Sequence, residues 1–431
     1  MDKWWAALFA AIPLRRTDSR EACLIKEGLP RDGRPSIRGD GMEPMRRLWN
    51  DKRLKAVALQ VIFVVIVVSA LAFIVNNVIV GMNRLGMSLD FQFLTRTASF
   101  DISGDKLISY SATDSYARAI LVGIINTLRI AFLGIVLATI VGTIIGIARL
   151  SKNWLARTVS KTYVEIFRNT PLLVQIIIWY SAVFLTLPLI EAEVNLGEFL
   201  FFSNRGIAMP WGDATGATLI WAIALVVGIV AAIWLYRLKT KQQIETGTEK
   251  HPFIWLAGTI VAAMLIAFLV TFQGPFELSI PELNANGRSY IGGFVLSPSL
   301  GALLIALVMY TSAFIAEIVR SGIMGVNKGQ REAAHSLGLK ESTALRLVIF
   351  PQAYRIIIPP MTNQYLNLTK NSSLAVAIGY PEIVYVGNII LSQSGRAVQM
   401  IIVMIACYLF FSLVTSLLMN LFNKYTQLVE R

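Results

Sequence analysis

Apolar runs, each long enough to be a helix, alternate along the chain with short polar stretches. A bilayer core of about 30 Å needs roughly twenty apolar helical residues, and this criterion separates spans from buried core helices. It predicts eight spans, near 56–80, 119–148, 172–190, 218–236, 253–272, 299–319, 374–391 and 398–422. The 374–391 run is interrupted by Gly379, Pro381, Glu382 and Gly387. Such interruptions survive where protein or a cavity covers the backbone, so this span reads as broken or half-buried.

One polar stretch breaks the monotony: REAAHSLGLKESTALRLVIFPQAYRIIIPP, from Arg331 to Pro360. Asn327 can cap a short helix carrying Gln330 and Arg331, and Gly338 supplies the left-handed residue that commonly closes one. Leu339 would then fold back on Ala334. Glu341 to Phe350 predicts a second short helix, with Pro351 where that helix should end. Ala333 and Ala334 let another surface approach the backbone, and Arg331 and Glu332 edge that contact with charge. This suits docking better than catalysis; an ordinary hairpin whose alanines reflect helix propensity is the bland alternative.

Composition agrees with the pattern, since 55% of residues are hydrophobic and 15% charged, outside the range of ordinary soluble domains. The formal charge of +13 falls between the apolar runs, where it sets topology instead of binding nucleic acid. The loop after the second span holds Arg149, Lys152, Arg157, Lys161 and Arg168 against Glu165; the loop after the fourth holds Arg237, Lys239, Lys241 and Lys250 against Glu245 and Glu249. From Arg320 to Ser373 come Arg320, Lys328, Arg331, Lys340, Arg346, Arg355 and Lys370 against Glu332 and Glu341. Between these, 191–217 carries Glu191, Glu193, Glu198 and Asp213 against Arg205, and 273–298 carries Glu277 and Glu282 against Arg288. The cationic loops are expected on the cytoplasmic side, with both termini.

The opening WWAALFAAIPL is apolar over too few residues to span and has no small-residue cleavage pattern before the charges, so residues 1–55 read as a cytoplasmic tail. A start at Met42 or Met45 is an alternative. Cys23 and Cys407 support neither a disulfide framework nor a thiolate metal site.

Glu332-Ala333-Ala334, three residues, Gly338, an apolar pair and Pro351 resemble the EAA loop of permease subunits of ATP-binding-cassette importers. Val348 and Phe350 stand where the pattern favours Ile and Leu. GIINTLRIAFLGIVLATIVGTIIGIARLS (123–151), VEIFRNTPLLVQ (164–175) and LTKNSSLAVAIGYPEI (368–383) are similar to the polar-amino-acid branch. The resemblance covers about 117–184 and 298–422; an insert between, with two extra spans and acidic outer loops, resembles the larger permease of general L-amino-acid uptake systems.

The resemblance implies an all-α membrane domain of the type I importer kind, with cytoplasmic coupling helices. The layout is then a tail (1–55), a first span with its outer loop (56–116), and a permease domain (117–431) carrying the insert at 185–297. It also implies a second permease subunit, more in keeping with a heterodimer, an ATPase dimer, and an extracytoplasmic amino-acid-binding protein. No Gly-Lys pair occurs in the sequence, and a P-loop needs one. ATP and Mg²⁺ are therefore expected on the partner, with no cofactor, metal or catalytic residue on this chain.

Coupling is expected at Arg331, Glu332, Ala333, Ala334, Gly338 and Pro351. Thr170, Gln175, Asn371, Ser372 and Glu382 are candidates to line a substrate path, because polar groups inside a membrane are functional by default. Against that, Asn371 and Ser372 can cap the following helix, and Glu382 suits a helix start. Arg129 reads as snorkelling, Glu317 and Arg320 as a pair, His335 as a contact residue, and Gly142 with Gly146 as a close-packing seam. An ion-coupled secondary transporter of small polar solutes is the rival, but no internal repeat supports it.

Overall fold

The computed structural model describes residues 52–84, 86, 89–102, 107–197, 199–249 and 251–426. Most of the predicted tail, with Met42, Met45 and Cys23, and the loop charges Glu198 and Lys250 lie outside the described residues. The chain divides into two units, Met1–Ser88 and Leu89–Arg431. In the first, α1 (Lys52–Arg84) is a single helix whose side chains from Lys55 to Val80 are all exposed, as lipid-facing residues of a span must be.

The second unit is built on two long helices, α2 (Tyr116–Ala148) and, after several intervening elements, α7 (Pro298–Met324). Serine caps begin both: the Ser115 and Ser297 hydroxyls accept from the Arg118 and Leu300 amides at 3.3 and 3.2 Å. Their contact follows the predicted glycine seam. A Cβ on Gly142 would stand 2.7 Å from the Ile315 Cβ, and one on Gly146 2.7 Å from the Ala316 carbonyl oxygen. Only glycine permits that backbone approach, which is how packing contacts replace the missing hydrophobic drive inside lipid.

Two predicted spans are bent. α3 (Trp154–Asn169) and α4 (Leu172–Ile178), continued by a π-helical segment Trp179–Phe184, meet at 103°. The expected span 172–190 is therefore the second half of a bent pair, and the cations Arg157, Lys161 and Arg168, expected in a loop, sit on helix α3. The second bent element starts with a hairpin, α8 (Lys328–Ser336) and α9 (Glu341–Ala344). It continues through a π segment, Leu345–Ile349, into α10 (Phe350–Asn371) and a 3-10 turn, Ser372–Ile378. α11 (Ile383–Ser394) departs from that line by 52°, and α12 (Ala397–Thr426) closes the fold. Among the described residues six helices are long and apolar enough to cross a membrane, and the two bent pairs, each counted as one span, raise the number to eight.

Pro351 does not end a helix, contrary to the sequence expectation. The π segment widens the turn before it, so that the Phe350 N–H reaches the Leu345 carbonyl, and Pro351 falls in the first turn of α10, where no amide donor is required. In consequence Arg355 and Lys370, counted above as loop charges, belong to helix α10, part of the second bent pair.

The insert contributes α5 (Thr218–Thr246) and α6 (Pro252–Thr271), which pack chiefly on each other. Its outer connections, read as loops, form short antiparallel sheets. β1 (Val194–Leu196), β2 (Leu200–Ser203), β3 (Gly206–Met209) and β8 (Phe294–Leu296) make one; β4 (Trp211–Ala214) pairs with β5 (Phe276–Ser279), and β6 (Glu282–Leu283) with β7 (Tyr290–Ile291). The Tyr290 hydroxyl donates to the Glu193 carboxylate, and burial together with that carboxylate pushes its pKa up to about 12. Arg129, expected to snorkel, lies 5.8 Å from the centre of the Phe294 ring, a cation–π contact that ties α2 to the insert's sheet.

Candidate functional site

The hairpin is closed at both ends by the residues predicted to close it. Asn327 Oδ1 accepts from the Gly329 N–H at 2.9 Å, capping α8. At the other end Gly338 has φ +73°, its N–H bonds the His335 carbonyl at 2.9 Å, and the Leu339 N–H bonds the Ala334 carbonyl at 3.2 Å. This pair of bonds is a Schellman closure, which satisfies carbonyls the helix end would leave orphaned. Ala334 is turned inward, 3% exposed, while Arg331, Glu332 and Ala333 are exposed and Leu337 at the tip is 80% exposed.

Polar ties brace the turn: His335 Nε2 faces Glu341 Oε2 at 3.2 Å, and Gln352 Nε2 donates to Gln330 Oε1 at 3.3 Å. The second limb is rooted in the core, where Ile349, Ala353 and Ile357 cluster with Ile315, Val319 and Ile323 of α7. Glu317, paired with Arg320 as expected, also accepts from Arg149 at the end of α2. α2, α7 and the hairpin thus form one braced body, able to carry a force applied at α8.

The other polar cluster surrounds the break before α11. Glu382 is fully buried; its Oε2 and Oε1 accept from the Val384 and Tyr385 amides at 2.9 Å each, and the Tyr408 hydroxyl donates to Oε2 at 2.8 Å. Asn126 Nδ2 donates to the Pro381 carbonyl at 2.9 Å, and the Thr127 hydroxyl accepts from the Ile383 N–H at 3.2 Å. Gly123 admits the break to α2, since a Cβ there would lie 3.0 Å from the Ile383 Cα. Ser372, buried, donates to the Thr369 carbonyl at 2.7 Å and faces Tyr408; Asn371 is half-buried beside it. At the other bend, Gln175 Nε2 donates to the carbonyls of Phe167 and Thr170 at 3.0 Å each, and the Thr170 hydroxyl donates to the Ile166 carbonyl at 2.8 Å.

The family described as "Binding-protein-dependent transport system inner membrane component" matches residues 251–427, the stretch holding the hairpin and the break. The general L-amino acid transport system permease protein AapQ of Rhizobium johnstonii is 44% identical over 90% of this chain and 96% of its own length. The chain belongs to the inner-membrane permease family of binding-protein-dependent transport systems. The amino-acid ABC transporter permease protein YhdX of Escherichia coli, so named as a putative one, is 43% identical over 88% of this permease and 95% of its own length. For the glutamate/glutamine/aspartate/asparagine transport system permease protein BztB of Rhodobacter capsulatus, the figures are 38%, 88% and 96%.

In this multi-pass permease the five pathway candidates separate into two places. Ser372 and Glu382 meet around Tyr408, Thr170 and Gln175 meet at the first bend, and most of their polar atoms are spent on backbone groups. Sequence reasoning missed a different polar surface. Asn363, Asn367 and Lys370 of α10 are exposed at i, i+4 and i+7, and none has a side-chain hydrogen bond or ion pair among the described residues. Their depth is set by Leu368, which touches the position of Gly134, near the middle of α2. A polar stripe at that depth cannot be left against lipid. Its helical spacing was visible in the sequence, but the whole stretch from Arg320 to Ser373 reads there as a cytoplasmic loop, with Lys370 one of its charges.

Proposed function

We propose that this permease forms the membrane path of an ATP-driven amino-acid importer and couples it, through the exposed face of α8, to a separate ATPase. The observation that carries the coupling is the hairpin. It is a rigid knob closed by Gly338, with Arg331, Glu332, Ala333 and Leu337 outward, rooted in α7 and continuous with α10. ATP-driven closure of a partner around α8 would move that body, and a conformational equilibrium shifts only as far as the partner's affinities for the two states differ. Pro351 sits where the motion passes into the span.

Amino acids are the substrate class supported by the names of the relatives. The path follows the α10 stripe, where Lys370 offers a cation to a carboxylate and Asn363 and Asn367 offer amide groups. A second permease subunit covers that stripe, and an extracytoplasmic binding protein delivers the substrate. The hairpin and both termini face the cytoplasm, ATP and Mg²⁺ are held by the ATPase, and this chain performs no catalysis. Membership of the permease family disfavours an ion-coupled secondary transporter.

The decisive experiment is uptake of labelled amino acids by vesicles containing the copurified complex. Uptake should require ATP and binding protein, a Cys introduced at Ala333 should cross-link to the ATPase, and Lys370→Gln should lower transport with the complex intact. Uptake driven by an ion gradient without ATP would overturn the reading.

A further inference from the structure

A cavity of about 750 Å³ opens between the C-terminal end of α2 and the hairpin. Its walls are apolar, formed by Ile144 and Ile147 of α2, Ile323 and Met324 of α7, and Ile349 and Phe350 at the root of the hairpin. Its rim carries Lys152, Lys328 and Arg331, all exposed, and none of the three has a side-chain hydrogen bond or ion pair among the described residues. The one carboxylate on the lining, Glu341, is engaged by His335. α2 and α7 are both membrane spans by length and composition, so their ends place this cavity where hydrocarbon gives way to headgroups.

These features restrict the occupant. Water against the walls would forfeit about 25 cal/mol for each Å² of apolar surface that a ligand could cover. A small soluble anion would answer the cations and leave the walls wet, whereas a neutral lipid would cover the walls and leave three cations without a counter-charge. We propose that the cavity is a binding site for an anionic phospholipid, one acyl chain lying along Ile147 and Ile323 and the phosphate resting among Lys152, Lys328 and Arg331. Two of those cations belong to α8, so the bound lipid tethers the coupling hairpin to the bilayer surface. The site is independent of what the permease carries.

The test is native mass spectrometry of the detergent-purified complex, with its ATPase, titrated with phosphatidylglycerol, phosphatidylcholine or inorganic phosphate. Lys152 lies off the docking face and is exposed, so Lys152→Gln leaves folding and docking intact; Lys152→Gln/Lys328→Gln removes a second rim charge. A membrane-surface cation contributes about fivefold in affinity for anionic lipid. Phosphatidylglycerol should therefore bind ahead of phosphatidylcholine, its affinity falling about fivefold with each substitution, while phosphate neither binds nor competes. Equal phosphatidylglycerol affinity in all three proteins would overturn the site, as would competition by phosphate. Binding seen only after the ATPase is stripped away would show that a protein surface covers the cavity, and would overturn it equally.

Discussion

The two bent spans solve opposite problems. At the 103° bend, α3 ends at Asn169 and leaves carbonyls without partners, and the group supplied is a donor: the Gln175 amide reaches the Phe167 and Thr170 oxygens. At the 52° bend, α11 begins and leaves amides without partners, and the group supplied is an acceptor: the Glu382 carboxylate takes the Val384 and Tyr385 N–H groups. Helix ends leave unlike groups orphaned, and no water inside the hydrocarbon can satisfy them. A polar residue buried at a break is therefore first a repair of the backbone. Glu382 and Gln175, candidates for the path from sequence, are explained by that role before any substrate is invoked.

Substitutions can break the comparison at either end. The largest effect is expected from Glu382→Leu, which strands two amides and the Tyr408 hydroxyl. At about 1–3 kcal/mol for each stranded group, the folded complex should lose several kcal/mol and its recovery from membranes should collapse. Glu382→Gln retains an acceptor and should give a protein of intermediate thermal stability; stability equal to wild type in the Leu variant would show that the carboxylate is not the cap. Next in size, Gln175→Leu strands two carbonyls but also removes Oε1, which is buried with no partner among the described residues. Its cost should stay near 1–3 kcal/mol, a visibly smaller drop in melting temperature than Glu382→Leu.

Gly338→Asp sharpens the contrast between bends that hold the fold and one proposed to transmit force. A Cβ there meets no atom within 4 Å, so the cost is the left-handed backbone alone, about 1–2 kcal/mol. The complex should assemble, while ATP-dependent uptake and substrate-stimulated ATPase activity fall at least tenfold; unchanged coupling would remove α8 from the mechanism. The smallest effect is predicted for Pro351→Ala. The π segment already accommodates this position, so stability should move by less than about 1 kcal/mol, measurable as a nearly unchanged melting temperature. A large loss would mean that the proline itself holds the π turn.

Much of the hairpin was legible because its signals are local. An Asn cap, a left-handed glycine and the alanines between them act within one turn of the chain, and the structure closes α8 with those same residues. The span count was legible for a similar reason, since hydrocarbon thickness imposes a length that any single helix must meet. The break within 374–391 was legible from Gly379 and Pro381, but the bend at Asn169-Thr170-Pro171 and both angles were not, because such residues mark a break without stating its angle. Those angles depend on Gln175, Asn126, Thr127 and Tyr408, and most of these partners are distant in sequence from the group they satisfy. The acidic insert loops likewise pair into strands with partners as remote as Ile207 and Leu296.

By itself, then, the sequence determined the solvent, the approximate spans and the punctuation of one hairpin, because each depends on neighbours or on a length set by the bilayer. Only the tertiary structure decided that α10 continues through Pro351, placing Lys370 on a helix and not in a loop. It also decided that Arg149 joins the Glu317–Arg320 pair and that Glu382 is spent on the start of α11. The physical reason is the same in each case: a buried polar or charged group takes its meaning from the partner that satisfies it, and that partner is chosen by packing.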